Sequence, residues 1–173
     1  MIDLISFIDI SGPIWKIIPL PYKEILAFDQ AITSIVIPNG SCNDKNDTVF
    51  DFSRFTRVES IEIGNDCFGS VKTFRIDGLN RLKTIKIGKN SFTQNKNSWG
   101  INTSKSFHIL NCESLESIEI GEYSFSDYAG DFELKNLPQL QSIQIGTIGS
   151  NSYSFLGSSF VIRGIELYWI LND

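Results

Sequence analysis

Val58-Glu-Ser-Ile-Glu-Ile-Gly64, Leu82-Lys-Thr-Ile-Lys-Ile-Gly88, Leu115-Glu-Ser-Ile-Glu-Ile-Gly121 and Leu140-Gln-Ser-Ile-Gln-Ile-Gly146 are four renderings of one heptapeptide. Their first residues lie 24, 33 and 25 positions apart, with a degenerate fifth copy ahead of them at Ile32-Thr-Ser-Ile-Val-Ile-Pro38. Self-similarity at such a period is the signature of stacked coils that share one continuous core, because no single unit can bury its own apolar face.

Each unit has a second half upstream of its leucine: Phe50-Asp-Phe52, Phe74-Arg-Ile76, Phe107-His-Ile109, Phe132-Glu-Leu134 and Phe160-Val-Ile162. Both Ile-x-Ile and Phe-x-Ile alternate with period two, which places the outer pair of each triplet inside and the middle residue outside a short strand. Two parallel sheets facing each other across a thin apolar core are therefore expected, in a mainly β solenoid with two short strands per coil. Phe68, Phe92, Phe125 and Phe155 form a further column, as do Leu79, Cys112, Leu137 and Ile165, with Phe55 at its head. Gly64, Gly88, Gly121 and Gly146, preceded by Pro38, share one position that reads as a corner of restricted backbone geometry.

These units resemble the BspA-like leucine-rich repeats, in which a Leu-x-x-Ile-x-Ile strand is followed by an Ile-Gly-x-x-Ala-Phe corner. The corner stands here as Ile63-Gly-Asn-Asp-Cys-Phe68, Ile87-Gly-Lys-Asn-Ser-Phe92 and Ile120-Gly-Glu-Tyr-Ser-Phe125, with Cys or Ser in the small-residue place. The resemblance covers about residues 28 to 167 and implies a right-handed parallel solenoid whose Ile-x-Ile sheet faces ligands. It also implies an interaction or adhesion protein, as among surface proteins of bacteria and protists. The chain lacks the regular asparagine after the strand found in the commoner leucine-rich pattern. On this reading residues 1–28 cap the N-terminal end, 29–167 form about four to five coils, and 168–173 cap the other end.

Aligned coils align surface residues too. Ser60, Thr84, Ser117 and Ser142 form an outward hydroxyl column beside Glu62, Lys86, Glu119 and Gln144, continued upward by Ser34 and Val36. Glu59, Lys83, Glu116 and Gln141 repeat the same alternation of charge just before them. Opposite charges on neighbouring strands either serve only to hold register and solubility or, with the hydroxyls, make a polar docking face. The long unit carries a polar excursion at 93–106, whose only aromatic is Trp99. Trp99 either folds back to anchor this loop or stands out as a contact for a partner.

Several function classes find no support. The chain has 173 residues and a net charge of -5, without a basic patch interleaved with aromatics, which speaks against a nucleic-acid binder. Neither a membrane span nor a secretory signal is evident, so the default compartment is cytoplasmic; a fragment of a larger protein would leave the cell surface open. The triplets at Asn39, Asn46 and Asn102 that match glycosylation sequons fall in loops.

The single histidine, His108, lies in an outward column with Arg75 and Glu133. Cys42, Cys67 and Cys112 form neither a zinc pattern nor a disulfide framework. Asp44 and Asp47 lie in an Asn/Asp-rich loop without the order of a calcium loop. The expected function is thus non-enzymatic protein recognition, needing no cofactor or metal. A structural or adhesive repeat is the alternative, as a monomer or weakly associated end to end through the apolar Tyr168-Trp-Ile-Leu171.

Overall fold

The computed structural model describes residues 32–46, 48–147 and 152–164. The capping segments at 1–28 and 168–173, together with Ile165 and Asp47, lie outside the described residues.

The chain alternates between two sheets as it winds. β1 (Ser34–Ile37), β3 (Ser60–Ile63), β5 (Thr84–Ile87), β7 (Ser117–Ile120) and β9 (Ser142–Ile145) form one parallel sheet in that order. β2 (Val49–Asp51), β4 (Thr73–Asp77), β6 (Ser106–Leu110), β8 (Asp131–Lys135) and β10 (Ser159–Arg163) form the other. The result is a parallel β-solenoid of about five turns, with no helix among the described residues. Pairing is in repeat register, Ile61 against Ile85 and Phe74 against Phe107, so the strand columns inferred from the repeat become physical ladders.

The core lies between the sheets. Ile61, Ile63, Ile85, Ile87, Ile118 and Ile120 point into it from one side and Phe50, Phe74, Phe107 and Phe132 from the other, all buried. Two ladders of phenylalanine run along its length. Phe50, Phe74, Phe107 and Phe132 stack at 4.7, 4.7 and 4.9 Å. Phe68, Phe92, Phe125 and Phe155 stack at 5.0, 4.7 and 4.9 Å and meet the first ladder edge to face, as Phe107 meets Phe125 at 5.0 Å. These separations follow the spacing of neighbouring strands, and the tilted contacts match the quadrupole preference of aromatic rings.

Corner geometry departs from expectation in an instructive way. Of the four corner glycines only Gly146 has a positive φ, at 74°. Gly64, Gly88 and Gly121 are required by close approach instead. A Cβ on Gly121 would sit 2.6 Å from the carbonyl carbon of Gly88, and one on Gly88 would sit 2.6 Å from that of Gly64. The left-handed backbone falls on the phenylalanines: Phe68, Phe92, Phe125 and Phe155 have φ between 56° and 59°. A bulky residue pays for that conformation only where packing over-determines it, as the doubly stacked ladder does.

The small residue before each of these phenylalanines is a fastener. Ser91 Oγ donates to Gly64 O at 2.8 Å and accepts from Cys67 N at 3.1 Å, and Ser124 Oγ repeats this with Gly88 O at 2.5 Å and Ser91 N at 3.0 Å. Cys67 does the same with sulfur, Sγ lying 3.1 Å from Pro38 O. Each serine thereby satisfies two backbone groups of the preceding coil.

Candidate functional site

The outward residues of the Ile-x-Ile sheet stand where the repeat places them. Ser60, Thr84, Ser117 and Ser142 are adjacent in register, as are Glu62, Lys86, Glu119 and Gln144. The second row is fully exposed, while Ser60 and Ser117 are half-buried between their neighbours. Ser60 Oγ donates to Ser34 Oγ at 2.8 Å, so the hydroxyl column begins as an internally bonded ladder.

Charges along the face pair between coils, but unevenly. Lys83 Nζ donates to Glu59 Oε2 at 2.9 Å, whereas Lys86 Nζ stands 4.0 Å from Glu119 Oε2. The hydrogen bond from Lys83, reinforced by its charge, holds the Glu59 carboxyl below the usual carboxylate range, and the same bond raises Lys83. Both side chains are solvated, so the pair sets register more than stability. Gln144 turns back along its own strand, its Nε2 3.2 Å from Gly146 O. The face is thus an exposed, charge-alternating surface.

Trp99 belongs to a different region. It sits on the excursion between the corner Phe92 and β6, and shares no hydrogen bond or ion pair with the sheet residues. Trp99 is 54% exposed, and Ile101 two residues on is 71% exposed. Other groups fasten the loop. Thr93 Oγ1 and Ser126 Oγ lie 2.9 Å apart, Gly100 N donates to Ser126 O at 3.1 Å and Asn102 N to Asp127 O at 3.0 Å. At its far end Lys105 Nζ reaches both carboxylate oxygens of Asp127, at 3.0 and 2.9 Å, with the two side chains only 4% and 7% exposed.

Lys105 also lies 5.1 Å above the ring of Tyr128, whose hydroxyl donates to Val71 O at 3.0 Å. Burial, aided by the Asp127 charge, pushes the Tyr128 phenol well above its ordinary range. Removing either charge of the pair would leave the other buried and unpaired, so the pair fixes the far end of the loop. The excursion is therefore a built-in part of two coils that displays Trp99 and Ile101.

Close by, Leu156 is 59% exposed, and a Cβ placed on its neighbour Gly157 would lie 3.9 Å from Ile101 Cγ1. The apolar display thus continues from the third coil onto the last described one. No protein-family model, curated protein or solved structure matches this chain.

The other sequence candidates are accounted for by their surroundings. His108 Nδ1 lies 3.5 Å from Glu133 Oε2, with no hydrogen-bond partner, in the outward row of the Phe-x-Ile sheet. The three cysteines are buried and form no disulfide, and burial raises the thiols of Cys67 and Cys112, the latter to about 11. No group of three or more His, Cys, Asp or Glu residues is placed to hold a metal ion among the described residues. No helix there is long and apolar enough to cross a membrane.

Sequence reasoning missed the fastening of the excursion. A lysine and an aspartate separated by 22 residues carry no periodic signal, and only the fold brings them together. It also missed two short asparagine ladders: Asn65 N donates to Asn39 Oδ1, and Asn136 Nδ2 to Asn111 Oδ1, both at 2.7 Å. Asn39 and Asn65 stand two residues after β1 and β3, and Asn111 and Asn136 directly after β6 and β8.

Proposed function

We propose that this chain is a non-enzymatic protein-recognition module of the BspA-like leucine-rich-repeat type, binding a protein partner with the 93–106 excursion and the adjoining Ile-x-Ile face. The observation that carries this reading is the exposure of Trp99 and Ile101, 54% and 71%, on a loop fixed by a buried ion pair. Large apolar side chains held in place without being buried lose little freedom on binding, and tryptophan is among the residues that dominate interface energetics. The row of Glu62, Lys86 and Glu119 supplies the charged margin that steers a partner and fixes its orientation.

A second reading, a structural or adhesive repeat, is supported by the last described coil of the solenoid. Ile143 and Ile145 are only partly buried, and Ile162 is 44% exposed. In this reading coils of different chains stack end to end.

Binding partners captured by the intact chain are to be compared with those captured by Trp99→Ala/Ile101→Ala and by Glu62→Ala/Lys86→Ala/Glu119→Ala, each variant first shown to melt like the parent. Loss of one discrete partner with the first variant supports recognition. Retention of every partner by both variants, with self-association that neither alters, supports the structural reading and removes the first.

A further inference from the structure

Lysines from three successive coils converge on one cavity. Lys45 comes from the segment between β1 and β2, Lys72 from the approach to β4, and Lys96 from the excursion before β6. With Thr48, Ser70 and Gln94 they line a space of about 540 Å³, and no carboxylate among the described residues lines it. In a chain of net charge -5 three ammonium groups, one of them paired with Asp66, gather about one concavity, and such a grouping attracts anions. We propose that this cavity binds a tetrahedral oxyanion, the phosphate or sulfate group of an esterified small molecule.

The lining divides into a fixed frame and free donors. Asn43 is fully engaged in the frame: its Nδ2 donates to Gly40 O at 3.0 Å and Asp66 O at 2.8 Å, while its Oδ1 accepts from Gly69 N at 2.8 Å. Thr93 is held by Ser126 and Asn95. Gly69 keeps the floor low, since a Cβ there would come within 3.2 Å of Thr93 O.

By contrast, the side chains of Lys45, Thr48, Ser70, Lys72 and Gln94 have no hydrogen-bond or ion-pair partner among the described residues. Two nearby described carboxylates are engaged, Asp66 by a charge and Asp44 by neutral donors. Asp66 pairs with Lys96 at 2.8 Å, and Asp44 Oδ1 accepts from Asn46 N and Nδ2 at 2.8 and 3.0 Å.

The donor set selects the ligand. A planar carboxylate is matched by the two-pronged arginine fork, and the lining has no arginine. Lysine acts as a point charge on phosphate-like groups, and short hydroxyl and amide donors fill the remaining acceptor directions of a tetrahedron. A cavity of this size also leaves room for the organic body that carries the ester.

The test is an amide NMR titration with sodium phosphate and, separately, sodium sulfate, at constant ionic strength and pH. Parent, Lys45→Gln/Lys72→Gln and the remote control Lys83→Gln are compared. Saturable shifts at Gly69 and Ser70 are expected in parent and control, with affinity about ten-fold or more weaker in the double variant. Tighter binding of phosphate assigns a phosphate ester, and tighter binding of sulfate a sulfate ester. Shifts that rise linearly with both salts, or saturable binding unchanged in Lys45→Gln/Lys72→Gln, overturn the proposal. Both substitutions are at exposed positions, so unchanged amide shifts elsewhere confirm that the variant is folded.

Discussion

Phe107 and Phe125 allow the left-handed phenylalanine ladder to be tested against an internal control. Both are buried, at 1% and 0% exposure, and their rings touch at 5.0 Å, yet Phe107 lies in β6 whereas Phe125 has a φ of 56°. Phe125 meets five rings, those of Phe74, Phe92, Phe107, Tyr128 and Phe155, at 5.4, 4.7, 5.0, 4.9 and 4.9 Å.

Truncation of either residue to alanine should cost about 3 to 5 kcal/mol from lost contact and the cavity left behind. Going on to glycine separates the sites. At 107 glycine should cost a further ~0.5 to 1 kcal/mol, the ordinary penalty inside regular structure. At 125 glycine removes the ~1 to 2 kcal/mol that a Cβ suffers in the left-handed region. Its greater freedom in the unfolded chain takes back about 0.4 to 1 kcal/mol. Phe125→Gly should therefore match or exceed Phe125→Ala in stability, and the glycine-minus-alanine difference should change by about 1 to 2 kcal/mol between sites. Urea unfolding followed by far-ultraviolet circular dichroism, with sucrose added to keep the weakest variants folded, measures all four midpoints. If glycine falls below alanine by the same amount at both positions, the backbone account of the ladder is wrong.

Three further outcomes are expected. Gly88→Ala would bring its new Cβ to 2.5 Å from Asn65 Oδ1 and 2.6 Å from Gly64 C, and should lower stability in urea by about 1 to 3 kcal/mol. A change within 0.3 kcal/mol, roughly the scatter of such measurements, would contradict the close-approach explanation of the glycine column. Lys105→Met or Asp127→Leu alone should each cost about 3 to 5 kcal/mol, and the double change should recover most of it; additive losses in a double-mutant cycle would refute the coupling. Cys112 ionises near 9.0 when unexposed to these surroundings and only at about 11 when folded, so the folded chain holds its proton longer. Stability from this group is then complete below pH 9 and lost as pH rises towards 11. Thermal melting across that window should fall less steeply in Cys112→Ala than in the parent, and identical slopes would count against the assignment.

The two-sheet core was legible because two independent period-two patterns recur in step. Ile118 and Phe107 must face inward once their copies do, and a shift of one residue would expose an entire column. What the repeat left obscure was why its invariant positions are occupied as they are. Gly88 and Ser91 look like turn residues when read along the chain, and their reasons lie in the preceding coil, at Gly64. The candidate site divided in the same manner. The row from Glu62 to Gln144 was legible because it repeats, whereas the Lys105–Asp127 clasp and the cavity around Lys72 belong to single, unrepeated side chains.

The phenylalanine corner also bears on how such a molecule grows. A coil carries a strained backbone and one ring of the stack that makes the strain tolerable, so its stability depends on neighbours of the same design. Tandem duplication of one unit transmits the strain and its compensation in a single genetic event, and the lengthened chain enters register without further change. Point substitution at a corner has no such shortcut, because a replacement must satisfy rings contributed by the coils on both sides. Lineages of this architecture should therefore vary readily in coil number while their corners change slowly.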